Sequence, residues 1–258
     1  MSDTGSSLPP PPPSPPPPPP GYVAYEPSLS AAVPLRRVGG LARAMQILLV
    51  ISAVGFGVQA AVTPRATDTA QDFLADRIDR DQFSEDLAPY TLVNLLTGAA
   101  FIALVVLTFI WLYRVVANHR TIGRPVRWAP GWAIGGWFLP PIVLYVIPML
   151  VFRESWQASD PDVPPGDERW RKSSVSPIVY VWWVLYGLVP IIFLIGGLSV
   201  QTSAFRGNET DLAEWIEDQK GWLIAQGLLG VVQAIGYLFL VRGLTSRHVR
   251  LTGESARR

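Results

Sequence analysis

The sequence has no cysteine, so disulfides, thiolate metal sites and cysteine nucleophiles are all excluded. Lysine is nearly missing too: Lys172 and Lys220 are the only two, and every other basic side chain is arginine. With abundant proline and alanine, that bias suits a GC-rich bacterial genome. Charge is scarce at 16% of residues, against about a quarter in an ordinary soluble domain. The formal net charge of +1 comes without any long basic run, so no phosphate-binding surface for nucleic acid is expected. A secretory signal is also missing, because the apolar core it needs near the start is replaced by proline at 9–13 and 15–20.

What the chain does have is long uncharged apolar stretches. About 20 apolar residues are needed to cross the hydrocarbon core. Four segments meet that: 44–63, 91–113, 178–204 and 222–241. Each is flanked on at least one side by tryptophan, tyrosine or arginine, as interfacial anchoring predicts. The expected fold is an all-α integral membrane protein in a bacterial inner membrane. Residues 1–40 form a disordered, Pro-rich cytoplasmic tail, 41–246 the helical membrane domain and 247–258 a basic cytoplasmic tail. The proline run fixes φ and removes N–H donors, so it reads as an extended polyproline II spacer or ligand.

A fifth stretch, 131–152, is uncharged and long enough to span, yet carries Gly131, Gly135, Gly136, Pro140, Pro141 and Pro148. Arginine distribution bears on it through the positive-inside rule. Arg36, Arg37 and Arg43 precede the first span, and Arg114, Arg120, Arg124 and Arg127 follow the second with no acid among them. Arg242, Arg247, Arg250, Arg257 and Arg258 close the chain. These mark the inside. The connection 64–90 interleaves Arg65, Arg77 and Arg80 with many acids and dilutes them over a longer loop, and only Arg206 and Lys220 lie between the last two spans, so both read as outside. An odd number of crossings must then separate 114–127 from 205–221. The span 178–204 supplies one, which makes 131–152 a re-entrant or interfacial broken hairpin. Five transmembrane helices are the alternative, and they would leave the arginine-rich C-terminus outside.

Outside the membrane, 68–90 reads as an acidic amphipathic helix. Phe73, Leu74, Ile78, Phe83 and Leu87 lie near helical spacing, giving a face for the membrane or another loop. The glycines at 55 and 57, and at 227, 230 and 236, suggest close helix packing. The four clean spans contain no Asp, Glu, Lys, Arg or His, the usual marks of proton relays and ion-coupled transport. Gln46, Gln59, Asn94, Gln201, Gln226 and Gln233 fit interhelical hydrogen bonding. His119 and His248, the only histidines, lie on separate cytoplasmic stretches. No nucleophile–base pair or metal cluster can be assembled, so no enzyme activity, cofactor or metal is expected.

One constellation stands out. Trp111, Arg114 and Asn118 fall at i, i+3 and i+7, on one face of the second span where it leaves the membrane. Arg127, Trp132, Trp137 and Pro140 follow, then Arg153, Glu154, Trp156, Asp160 and Pro161 just past the hairpin. The expectation is a tryptophan and arginine belt in which Glu154 and Asp160 pair with Arg114 and hold the hairpin against the span. Its functional variant is a pocket for an anionic lipid head group or a partner protein. The expected partners are the bilayer, a cytoplasmic protein reached through the tail or belt, and a second copy of the chain.

The runs W-L-Y-R-V-V-A-N (111–118), A-P-G-W-A-I-G-G-W-F-L-P (129–140) and R-E-S-W-Q-A-S-D-P (153–161) resemble a family of actinobacterial multi-pass membrane proteins, domain of unknown function 4328. The likeness covers roughly residues 90–244. It implies a membrane location and this general architecture but no activity. In that family a more polar stretch is expected after W-F-x-P, whereas 141–144 here is apolar, which favours deeper insertion. The overall expectation is a non-enzymatic scaffold, adaptor or envelope-associated factor, with a small transporter or lipid-handling protein as the alternative.

Overall fold

The computed structural model describes residues 34–139, 141–186 and 208–254. All regular structure among them is helical. The chain runs through α1 (Gly39–Leu74), α2 (Arg80–Thr121), the one-turn α3 (Trp132–Gly135) and α4 (Pro141–Ala158). It continues through α5 (Pro177–Tyr186), α6 (Glu209–Asp218) and α7 (Lys220–Thr252).

Helices α1, α2 and α7 are long and apolar enough to cross a membrane. Their surfaces agree: Leu95 is 68% exposed, Ile102 66%, Val54 60% and Leu228 57%. An apolar surface of that extent suits lipid, since soluble monomers rarely leave large contiguous apolar patches exposed. The expected crossing at 178–204 begins in α5, and its residues 187–204 lie outside the described residues.

Small residues let the long helices close on one another. A Cβ on Gly227 of α7 would sit 2.8 Å from both the Ala60 methyl and the Phe56 carbonyl oxygen of α1. One on Gly230 would meet the Phe56 ring, and one on Gly236 would come 3.1 Å from Leu185 of α5. Near mid-bundle, the Thr108 hydroxyl shares a 2.8 Å hydrogen bond with the Tyr237 hydroxyl, linking α2 to α7. Hydrogen bonding satisfies both groups where burial would otherwise penalise them.

At 36 and 42 residues, α1 and α2 are roughly 54 and 63 Å long at about 1.5 Å per residue, well beyond the hydrocarbon core. The 68–90 segment is therefore not one amphipathic helix of its own. The two helices run through it and break only between Leu74 and Arg80. Pro64 and Pro89 are absorbed within them, and the Thr63 and Thr67 hydroxyls donate to the carbonyls of Gln59 and Thr63 around the first. Asp79 caps α2 by accepting from the Gln82 N–H. The apolar face anticipated there packs on the other acidic connection. Phe73 stacks on Phe83 at 4.5 Å, and Ala66, Ala70, Phe83 and Leu87 bury Ala213 and Ile216 of α6.

Segment 131–152 is broken, as its glycines and prolines predict: α3 passes into a 3-10 turn (Gly136–Phe138) and α4 starts at Pro141. A Cβ on Gly136 would lie 2.7 Å from Ile147 Cγ2, so the two arms fold together. The Glu154 carboxylate accepts the N–H groups of Arg127 and Trp128 at 2.7 and 3.1 Å, joining the segment's two ends. Helix α7 continues through the basic stretch from 247 to Thr252, where His248 is fully buried.

Gly227→Ala should lower the melting temperature of the purified protein, because the new methyl meets α1 backbone; overpacking of this kind costs about 1–3 kcal/mol. Gly98→Ala on α2, with nothing within 4 Å of its Cβ, should leave stability unchanged or slightly raised. Equal melting temperatures for the two variants would contradict the packing described.

Candidate functional site: a buried polar chain at the basic end of the bundle

The last turns of α2 carry Trp111, Arg114 and Asn118 into a crossing point with α4, α7 and the segment before α1. Trp111 is fully buried against Phe152 of α4, ring centroids 6.2 Å apart. Asn118 grips the backbone of Arg36. Its Oδ1 accepts the Arg36 N–H at 2.8 Å, and its Nδ2 donates to the Arg36 carbonyl, also at 2.8 Å. Only one orientation of the amide satisfies both bonds.

That orientation fixes the hydrogens further along. Asn118 Nδ2 lies 3.1 Å from His248 Nε2. Since the amide nitrogen only donates, Nε2 is the acceptor and neutral His248 carries its proton on Nδ1. Nδ1 then donates to Ser159 Oγ at 3.4 Å, and the Ser159 hydroxyl donates onward to His119 Nε2, also at 3.4 Å. His119 is thus protonated on Nδ1, which reaches no partner of full hydrogen-bond geometry, although the Ser155 carbonyl offers the ring a weak acceptor. The two imidazoles meet edge to face at 5.0 Å. Burial, with Arg124 adding to it, pushes His248 down to about 4. Burial, then His248 and Arg124, holds His119 well below the usual histidine range. Both rings are neutral at neutral pH, as the chain of donors requires.

Beside the histidines, Arg124 is fully buried within the loop that follows α4. Its guanidinium donates to the carbonyls of Ala158 at 2.5 Å, Asp160 at 3.0 Å and Val163. Asp160 pairs with Arg247 of α7 at 3.4 Å, and Arg247 also lies 5.4 Å from the Trp156 ring centre. Burial alone would raise the Asp160 carboxyl; hydrogen bonds from Ser173 and the Asp162 N–H, with the Arg247 and Arg124 charges, hold it below the usual range. Gly243 makes room for the Trp156 edge, where a Cβ would come within 2.8 Å. At the start of α1, the Glu254 carboxylate accepts the N–H groups of Val38 and Gly39, each at 3.1 Å. A carboxylate there also complements the positive end of the helix dipole.

The belt read from the sequence is therefore assembled mostly inward. Trp111, Asn118, Trp156 and Asp160 belong to the network, and half-buried Pro161 lies in the loop around Arg124. The expected pairing of Arg114 with Glu154 or Asp160 is not made. Arg114 donates to the Arg37 carbonyl, Glu154 caps backbone at 127–128 and Asp160 pairs with Arg247. The side chains of Arg127 and Arg153 are exposed, and Trp132 is 40% exposed beside Trp128. Trp137 belongs to an aromatic cluster with Phe109, Trp182 and Tyr186. Pro140 lies outside the described residues.

Arg36, His119, Arg124, Ser159, Arg247, His248 and Glu254 were not placed in the candidate site by the sequence reading, which set the two histidines on separate stretches. One signal was available for the histidines: His119 lies six residues past Tyr113, and His248 seven past Val241. Those offsets place both rings at one level beyond their spans. Ser159 contacts both imidazoles yet has no exposed surface, so no substrate reaches it in this conformation. The arrangement joins four segments through neutral hydrogen bonds.

Asn118→Ala should destabilise the protein by about 2 kcal/mol, because the Arg36 carbonyl and His248 lose their donor. The depressed histidines add a pH dependence. Between the ordinary value of 6.5 and about 4 for His248, the unfolded chain binds protons that the folded chain does not. Stability is then fully present above pH 6.5 and falls as pH drops through that window. Thermal unfolding should show a lower melting temperature at about pH 5 than at about pH 7.5, and His248→Gln should shrink the difference. An unchanged difference in His248→Gln would contradict the assignment.

The family model described as Domain of unknown function (DUF4328) matches residues 75–246. It spans α2, segment 131–152 and Ser159, and stops short of Arg247 and His248. No curated protein and no solved structure matches the chain. Because the matched region covers well over half of the sequence, the protein belongs to the DUF4328 family.

Proposed function

We propose that the protein is a non-enzymatic, multi-pass scaffold or adaptor of the bacterial inner membrane, holding the root of its Pro-rich N-terminal tail at a fixed cytoplasmic point. The observation that carries this reading is the grip on 36–39. Asn118 holds the Arg36 backbone, Arg114 the Arg37 carbonyl, and Glu254 the N–H groups of Val38 and Gly39. A proline-rich segment leaving from such a clamp is suited to presentation to a groove-binding partner.

The proposed topology has four crossings, at 44–63, 91–113, 178–204 and 222–241, with 131–152 dipping in and returning to the cytoplasmic side. Joined ends at Glu154 support the return. So does length: twelve apolar residues from 141 to 152 rise roughly 18 Å, short of a core of about 30 Å. Charge supports the orientation, with Arg36, Arg37, Arg120, Arg127 and Arg153 at the hairpin's end and Asp72, Asp79, Glu85, Glu209 and Glu217 at the other.

Two measurements test this. Cysteines introduced at exposed Ser174 and Asp81 should label from the cytoplasm and the periplasm respectively; the reverse pattern would overturn the orientation. Removing residues 1–33 should abolish co-purification of partners that the full chain retains, with the melting temperature unchanged. Identical partners in both would remove the tail from the reading. A second reading, lipid handling, is favoured by a cavity between the helices beside the hairpin.

A further inference from the structure

Between α1, α2, α5, α7 and the hairpin lies a cavity of about 380 Å³, within the roughly 300–1,000 Å³ typical of small-molecule sites. Its walls are mostly aliphatic and aromatic, and no charged residue lines it. An ionised ligand would be buried there without a counter-charge, at a prohibitive cost. The occupant must be neutral and largely apolar.

Two polar groups on the walls have no protein partner. Ser52 is 3% exposed, and its Oγ makes no hydrogen bond. The Trp137 indole N–H is likewise buried and unpaired. By contrast, the Thr108 and Tyr237 hydroxyls in the same walls satisfy each other, and Gln233 donates to the Leu185 carbonyl at 2.7 Å. Buried polar groups are normally paired, and each orphan costs on the order of 1–3 kcal/mol. Two residues lining one apolar space thus each carry an orphan donor just behind its surface, and an acceptor drawn against them would satisfy both. Water would need two to four polar partners, which these walls supply poorly. Phe101, 55% exposed, lines the cavity and also reaches the outer surface, so the space adjoins the bilayer. A second cavity of about 540 Å³ shares Phe56 and Phe101 as walls, giving a tail room to extend toward the acidic end.

We propose that this cavity binds a neutral membrane lipid bearing a carbonyl oxygen, which accepts hydrogen bonds from the Ser52 hydroxyl and the Trp137 indole N–H. Quinones and acyl esters share that chemistry. The inference deepens the lipid-handling reading and stands independently of the adaptor role.

The test uses the full chain in nanodiscs of ether-linked phospholipid, which offer no ester carbonyl. A short-chain quinone and a short-chain diacylglycerol are titrated separately, with an alkane of matched length as control. Tryptophan fluorescence and the melting temperature are followed. One carbonyl compound should bind saturably, and which one does so identifies the source; the alkane should not. Ser52→Ala should weaken binding several-fold to about tenfold, the loss of one hydrogen bond. Ala234→Leu, at a buried wall position, should abolish it. Ser52→Ala keeps the test decisive if the larger side chain prevents folding. Saturable binding by neither compound, equal binding of the alkane, or unchanged affinity in Ser52→Ala would each overturn the proposal. None of these outcomes depends on whether the tail recruits a partner.

Discussion

Asn118 and the backbone of Arg36 form the contact on which the ordered basic end depends. A side-chain amide that both accepts from and donates to one residue's main chain can adopt a single orientation. The rest of the chain inherits its hydrogens from that choice, through His248 and Ser159 to His119. The result ties together the segment before α1, the end of α2, the end of α4 and the end of α7. Long apolar helices pack through non-directional forces, so their rotation and depth need something directional. This neutral hydrogen-bond chain supplies it, and low polarity around the rings keeps them neutral.

The same end shows how a loop can be ordered without regular structure. Arg124 gathers three carbonyls that follow α4, while Asp160 and Trp156 both engage Arg247. Backbone carbonyls past a helix end lack intrahelical donors, and a buried guanidinium satisfies several at once. Next to it, Phe152 packs at 4.6 Å on Trp182, which stacks on Tyr186. Segment 131–152 is thus held by polar contacts at its ends and by aromatic contacts of Trp137 and Phe152. Ser52 Oγ and the Trp137 indole N–H are buried without a partner, as are Trp111 Nε1, Thr245 Oγ1 and the Nε atoms of Arg124 and Arg247 nearer the basic end.

Motif spacing also acquires a physical meaning. In the run from Trp111 to Asn118, the tryptophan seats Phe152, the arginine holds the Arg37 carbonyl and the asparagine holds Arg36. In the run from Arg153 to Pro161, Glu154 closes the hairpin, Trp156 takes the Gly243 gap, Ser159 bridges two imidazoles and Asp160 meets Arg247. Each residue faces a different neighbour. No single periodicity in the sequence could have paired them.

The sequence alone determined three helices long and apolar enough to cross a membrane, with their approximate positions, the close glycine packing and the break in 131–152. Those properties follow from local quantities: length of uncharged run, helical period, and the hydrogen bonds that proline cannot donate. Membership of the DUF4328 family was legible on the same short runs. Tertiary structure decided which polar groups meet. Arg114 donates to the Arg37 carbonyl, while the Glu154 carboxylate is taken up by the N–H groups of Arg127 and Trp128. His119 and His248, 129 positions apart, become ring neighbours only when α2 and α7 end at one level. The packing of α1 and α2 beyond the apolar runs likewise depended on α6, whose Ala213 and Ile216 cluster with Phe83 and Leu87. Such contacts join residues far apart in the chain, where pattern carries little information and only packing brings donor to acceptor.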